Sequence, residues 1–169
     1  MKTYLHLALA AVVLALSASS CKKDGPEAGL PAATQEGKNT FGCLVDGQLF
    51  VPLPPAGINS SRRDPLEASK YRTDILVSGR GNGYVDFALR NAFQPGTYSL
   101  GETRSAKYGR YQFGSIDYYT DAAHPGTVTL TRIDTVARIA SGTFQFTALD
   151  YQSGKTVTVT DGRFDVHLK

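Results

Sequence analysis

Thr156-Val157-Thr158-Val159-Thr160-Asp161-Gly162-Arg163-Phe164-Asp165-Val166-His167-Leu168 is the stretch that decides the fold class. Val157 and Val159 alternate with Thr156, Thr158 and Thr160. Beyond Asp161-Gly162, the residues Phe164, Val166 and Leu168 alternate with Arg163, Asp165 and His167. A period of two sends successive side chains to opposite faces, so each run reads as a strand with one dry and one wet side. Upstream, Phe144 and Phe146 alternate with Thr143, Gln145 and Thr147, and Val85, Phe87 and Leu89 with Asp86 and Ala88. Gly79–Gly83, Asn91–Gly96, His124-Pro125-Gly126, Ser153-Gly154 and Asp161-Gly162 punctuate these runs as turns. No amphipathic helical period of ten residues or more occurs, and Asp64–Lys70 is the one place for a short helical turn. The expected fold is all-β: an antiparallel β-sandwich or flattened barrel built from hairpins.

Further outward, Thr40–Val45 and Gln48–Pro52 flank Asp46-Gly47, a pair that favours a type I′ hairpin. That register sets Cys43 opposite Phe50 and Leu44 opposite Leu49, so both faces of the hairpin carry apolar groups. Pro95-Gly96-Thr97-Tyr98-Ser99-Leu100 is echoed 30 residues later by Pro125-Gly126-Thr127-Val128-Thr129-Leu130. Each reads as a Pro-Gly type II turn leading into a strand.

The start of the chain has a different character. Residues 1–20 hold Lys2, an apolar run from Leu5 to Leu16 and the small residues Ser17 to Ser20, the three-part layout of a secretory signal. Twelve apolar residues make about 18 Å of helix, short of the ~30 Å hydrocarbon core. Residues 22–39, KKDGPEAGLPAATQEGKN, contain no aromatic residue, so they read as a disordered tether joined to Cys21. Fully extended, those 18 residues reach about 60 Å. The organisation expected is a signal over 1–20, Cys21 and tether over 21–39, and a single all-β domain over 40–169.

Composition narrows the function. With Lys2 removed, the 169-residue chain has 17 basic and 15 acidic side chains, too balanced for a nucleic-acid binder. A hydrophobic fraction of 41% is too high for a disordered protein. The two cysteines are Cys21 and Cys43. If Cys21 carries lipid, Cys43 is a lone thiol and a small buried hydrophobe; if Cys21 is free, a Cys21–Cys43 bridge is open to it.

Three resemblances enter here. Ala18-Ser19-Ser20-Cys21 resembles the lipobox of bacterial lipoproteins, which implies a Cys21 bearing thioether-linked lipid and an acyl chain such as palmitate. Lys22-Lys23-Asp24 loosely resembles the charged residues that send some Bacteroidota lipoproteins to the cell surface. The segments Leu30–Gly47, Ser141–Phe146 and Gly154–Val166 resemble a family of small Bacteroidota lipoproteins grouped as a domain of unknown function. That resemblance covers both ends of the mature chain, leaves about 53–124 unmatched, and implies a β-rich lipoprotein of the cell envelope. Anchored at the outer membrane, with surface display open to it, such a protein has the membrane as a partner through Cys21.

Catalytic motifs are sparse. There is no HExxH and no Gly-x-Ser-x-Gly; Gly154-Lys155-Thr156 lacks the first glycine of a phosphate loop, with Leu149 in its place. No metal or other cofactor is called for. Asp121 with His124 makes an imaginable metal pair, and Asp117, Asp121 and Asp134 an imaginable Ca²⁺ set, against turn-capping aspartates as the plainer reading. Asp134-Thr135-Val136 resembles a short O-glycosylation acceptor.

One region stands out. Tyr98, Tyr108, Tyr111, Tyr118 and Tyr119 lie close together in sequence with Arg104, Lys107 and Arg110. Exposed, they suit a glycan or an envelope protein; otherwise alternate tyrosines pack inward and the others line the wet face. The first reading is an uncharacterised envelope lipoprotein with a non-catalytic β domain that binds a ligand or partner, its enzymatic status open. Alternatives are an envelope hydrolase acting on glycan or peptidoglycan through carboxylates drawn from Asp86, Glu102, Asp117 and Asp121, or a structural spacer.

Overall fold

The computed structural model describes residues 29–53, 64–101 and 107–169. The signal, Cys21 and the first part of the tether lie outside these residues. Eleven strands and no helix occur among the described residues: β1 Thr40–Val45, β2 Gln48–Phe50, β3 Leu66–Tyr71, β4 Asp74–Gly81, β5 Gly83–Leu89, β6 Gly96–Leu100, β7 Tyr108–Phe113, β8 Ile116–Tyr119, β9 Gly126–Asp134, β10 Ile139–Leu149 and β11 Thr156–His167. All pairings are antiparallel. The strand order is β2-β1-β11-β10-β8-β7-β5-β4-β3, with β9 and then β6 branching from β10. No ladder joins β2 to β3, so the sheet is not a closed barrel. The expected Asp64–Lys70 helical turn is strand β3 instead, because residues 66–71 pair throughout with 74–79.

The sheet folds back on itself around phenylalanine rings. Phe87 of β5 lies 5.2 Å from both Phe144 of β10 and Phe164 of β11, and Phe41 stacks on Phe144 at 5.0 Å. β5 is neighbour to neither β10 nor β11, so these contacts join two layers. Small residues make room: a methyl group on Gly79 would sit 2.7 Å from the Phe41 ring, and one on Gly109 2.6 Å from Phe146. Fully burying each ring contributes roughly 1.5–3 kcal/mol.

The β1–β2 hairpin has the register read from Asp46-Gly47, Cys43 facing Phe50 and Leu44 facing Leu49, with φ of 48° and 77° at the turn. Leu44 is buried, but Leu49, at the sheet edge, stays 45% exposed. Asp161-Gly162 is a bulge and not a turn. Asp161 takes a φ of 53°, the registers with β1 and β10 shift around it, and β11 runs on as one strand. The echoed segments are paired with each other: Gly96 faces Leu130 and Leu100 faces Gly126, making β6 and β9 a near-symmetric ladder. Gly126 departs from the type II expectation. It opens β9 directly, where a side chain would meet Phe146 and the Gln145 carbonyl.

The folded unit begins earlier than Thr40. Gly29 lies against Leu49, and Pro31 lies against Gly42 and accepts a hydrogen bond from Arg163 at 3.4 Å. Asp165, with no exposed surface, then gathers the chain. Its carboxylate accepts from Thr34 Oγ1 (2.6 Å), the N–H groups of Glu36, Gly37 and Lys38 (3.0, 2.8 and 3.2 Å) and Ser141 Oγ (2.7 Å). Arg132 donates to the Gln35 carbonyl. Residues 29–39, expected as the second half of a tether, therefore form a strap over β1, β11 and β9. The apolar content of this segment is low, and hydrogen bonds to one carboxylate fasten it instead.

Candidate functional site

The tyrosines divide by strand parity. Tyr111 of β7 faces Tyr118 of β8, their rings 5.9 Å apart, and both pack against the core. Tyr98 also packs against the core and donates its hydroxyl to the Gln94 carbonyl at 2.7 Å. Tyr108 and Tyr119 occupy the opposite face with rings 5.9 Å apart, and the Arg110 guanidinium lies 6.0 Å from the Tyr119 ring centroid. The structure thus brings together Tyr108, Tyr119 and Arg110 and turns Tyr98, Tyr111 and Tyr118 away. Arg104 lies outside the described residues.

Cross-strand register builds the outer face row by row. One row runs Ser78, Asp86, Arg110, Tyr119 and Leu149 across β4, β5, β7, β8 and β10. Arg110 grips Asp86 with two donors, Nε and Nη2 at 2.8 and 2.7 Å from Oδ2, and reaches Asp117 at 3.5 Å. Asp86 is 2% exposed, and its Oδ1 has no hydrogen-bond partner among the described residues. Burial pushes the Asp86 carboxyl up, against the pull of Arg110. Burial works against the Arg110 charge, yet the Asp86 hydrogen bonds outweigh it and hold the guanidinium protonated. Burial, and next the Asp86 charge, raises the Tyr108 phenol.

These positions bear on hydrolysis through carboxylates. Asp86 and Asp117 do meet, but through Arg110, and Asp86 is sealed where a ligand could not touch it. Asp121 is engaged as a turn cap. It accepts from the N–H groups of Ala123 and His124, lies 2.9 Å from His124 Nδ1 and takes the Tyr151 hydroxyl at 3.1 Å. Desolvation would raise its carboxyl, but these backbone and side-chain bonds together hold it below the usual range. Asp134 caps Val136 and Ala137 in the same manner and pairs with Arg132. Thr135 therefore sits on an exposed β9–β10 turn beside Val136, which is 94% exposed.

Beside Tyr119 opens a polar cleft of about 280 Å³, lined by Ser115, Ile116, Asp117, Tyr119, Asp150, Tyr151 and Gln152. It lies between the β7–β8 hairpin and the β10–β11 turn. Asp150 shapes that turn by accepting from the N–H groups of Gln152 and Ser153 and from the Ser153 hydroxyl. Tyr151 is thereby presented at 53% exposure. Sequence reading missed Tyr151, since it stands on a turn outside the tyrosine-rich stretch.

Further along the outer face of β10 lies a shallow groove of about 500 Å³, lined in part by Ser99, Thr127, Gln145, Thr147, Thr158 and Thr160. A second, of about 360 Å³, shares Thr127 and Gln145 and ends at Asp161 and Arg163. The larger groove sets those hydroxyl and amide groups among apolar surface from Pro125, Phe146 and Val159, while the second is mostly polar. Cys43, fully buried, has its thiol pushed far up by desolvation, which suits a packed hydrophobe and not a nucleophile.

Fold and site together define an all-β domain with a strapped N-terminus and a wet face of tyrosines, hydroxyls and acids. The family described as "Domain of unknown function (DUF6252)" matches residues 67–166, and the chain belongs to it. The match runs through the middle of the domain, which the resemblance in sequence had left uncovered. No curated protein and no solved structure matches the chain.

Proposed function

We propose that this protein is a lipid-anchored lipoprotein of a Bacteroidota cell envelope, held at the outer membrane through Cys21, whose β domain binds a neutral glycan. The observation that carries the binding reading is the cleft at Tyr119 and Tyr151. Two tyrosines supply flat apolar bodies for the C–H faces of sugar rings. Asp117, Gln152 and Ser115 supply hydrogen-bonding groups for hydroxyls on the same rim. Arg110 already answers the acids, so the lining offers no cation for an anionic ligand. The hydroxyl-rich groove beside it continues the same chemistry along β10.

The anchor is supported by sulfur accounting. A fully buried Cys43 fits the reading in which it is a lone thiol packed as a small hydrophobe and Cys21 carries the lipid. More than one acyl chain makes anchoring stable.

The binding test is affinity electrophoresis through gels containing neutral polysaccharides. The Tyr119→Ala/Tyr151→Ala pair is expected to weaken retardation about tenfold, near 1.4 kcal/mol. A double variant retarded like the parent would overturn the site. Intact-mass analysis of the membrane-extracted protein tests the anchor, and a mass matching unmodified Cys21 would overturn it.

A further inference from the structure

We propose that the β2 edge of the domain, with Leu49 and Leu53, faces the lipid bilayer and rests on it. The inference depends on Cys21 carrying lipid, as proposed above.

The geometry begins with the strap. Four hydrogen bonds to Asp165, the Arg132–Gln35 bond and the packing of Pro31 on Gly42 fix the chain from residue 38 back to residue 31. Gly29, the first described residue, then lies against Leu49 at the β2 edge, and this is the exit point from which the reach to Cys21 is counted. Only residues 22–28 separate that exit from Cys21. Eight Cα steps span at most about 30 Å, half of what the whole 22–39 segment would allow.

That length is shorter than the domain is wide. A domain of this size has a radius of gyration of about 14 Å and hence a diameter near 35 Å. To lay its opposite side on the bilayer, the connection would have to wrap half the circumference, about 55 Å. The exit edge is therefore the part held at the lipid surface.

That edge carries the chemistry for the contact. Leu49 and Leu53 are 45% and 53% exposed. Both are aliphatic and belong to the three-residue edge strand or the chain just beyond it. Lys22 and Lys23 follow Cys21 and favour anionic headgroups. The Leu53 N–H bonds the Arg80 carbonyl at one end of β4, while Ala92 bonds Thr73 at the other. Phe93, 58% exposed beside Ala92, therefore lies about 20 Å of strand away from the proposed contact.

The chain has no tryptophan, so single reporters are clean. Acylated Leu49→Trp, Leu53→Trp and Phe93→Trp proteins are reconstituted in vesicles containing lipids brominated along the acyl chain. Insertion of a side chain to about 5–10 Å predicts roughly twofold or greater quenching at 49 and 53 and none at 93. Equal quenching at all three positions, or none at 49 and 53, overturns the orientation while a correct acylated mass leaves the anchor standing. A mass matching unmodified Cys21 removes the anchor and the orientation with it.

Discussion

Asp86 and Asp165 are both buried carboxylates on strands, and the protein treats them in opposite ways. Asp86 meets one guanidinium and leaves an oxygen without a hydrogen bond, so burial dominates and its carboxyl is raised. Burial would raise Asp165 too, but the donors from Thr34, Ser141, Glu36 and Gly37 outweigh it and carry the carboxyl far below its ordinary range. The contrast teaches that donor count, more than depth, decides whether a buried charge is tolerated or wanted. It also divides the labour: the Asp165 cluster locks a segment in place, while the Asp86 cluster orders an open face.

The largest effect expected is from Arg110→Ala. It strands the Asp86 carboxylate without its counter-charge, at about 3–5 kcal/mol near neutral pH by urea denaturation. Because the folded value of Asp86 is raised, its cost grows as pH rises through and above the unfolded value of about 3.9 and is relieved on acidification. The Arg110→Ala deficit should therefore shrink toward pH 4. A deficit independent of pH would break the comparison.

Asp165→Asn comes next, at about 3 kcal/mol, since at least three buried or half-buried donors lose their charged acceptor at roughly 1 kcal/mol each. The folded value of Asp165 is depressed, so its stabilisation is complete above about pH 4 and declines as pH falls below the unfolded value. The parent should lose stability below pH 4 more steeply than Asp165→Asn, and parallel acid limbs would refute the assignment. Smaller still, Thr34→Val removes one strap hydrogen bond and should cost about 1 kcal/mol. Its sharper readout is hydrogen exchange, with the amides of Glu36 to Lys38 losing protection before those of β10.

The strands, the Asp46-Gly47 register and the inward–outward split of the tyrosines were legible because period-two alternation and turn chemistry are local properties. The bulge was half visible. The apolar phase passes from odd positions (Val157, Val159) to even ones (Phe164, Val166) across Asp161-Gly162, the mark of one inserted residue in a continuing strand. The strap was not legible, since its bonds span 127 to 131 residues and its sequence has the composition of a linker. For the same reason Asp165, placed by alternation on the wet face, lies buried, covered by a segment that alternation cannot see. The cleft required the fold as well, because Tyr119 and Tyr151 meet only after β8 pairs with the end of β10.

The rings seated on glycines carry a consequence for descent. Phe41 on Gly79, Phe146 on Gly109 and Phe144 on Gly162 each join a large residue to a position in another strand where a side chain would collide with it. Neither half of such a couple is free to drift alone. Within the family, the aromatic and the glycine should be inherited or exchanged as a unit, so that a homologue lacking one regains freedom at the other.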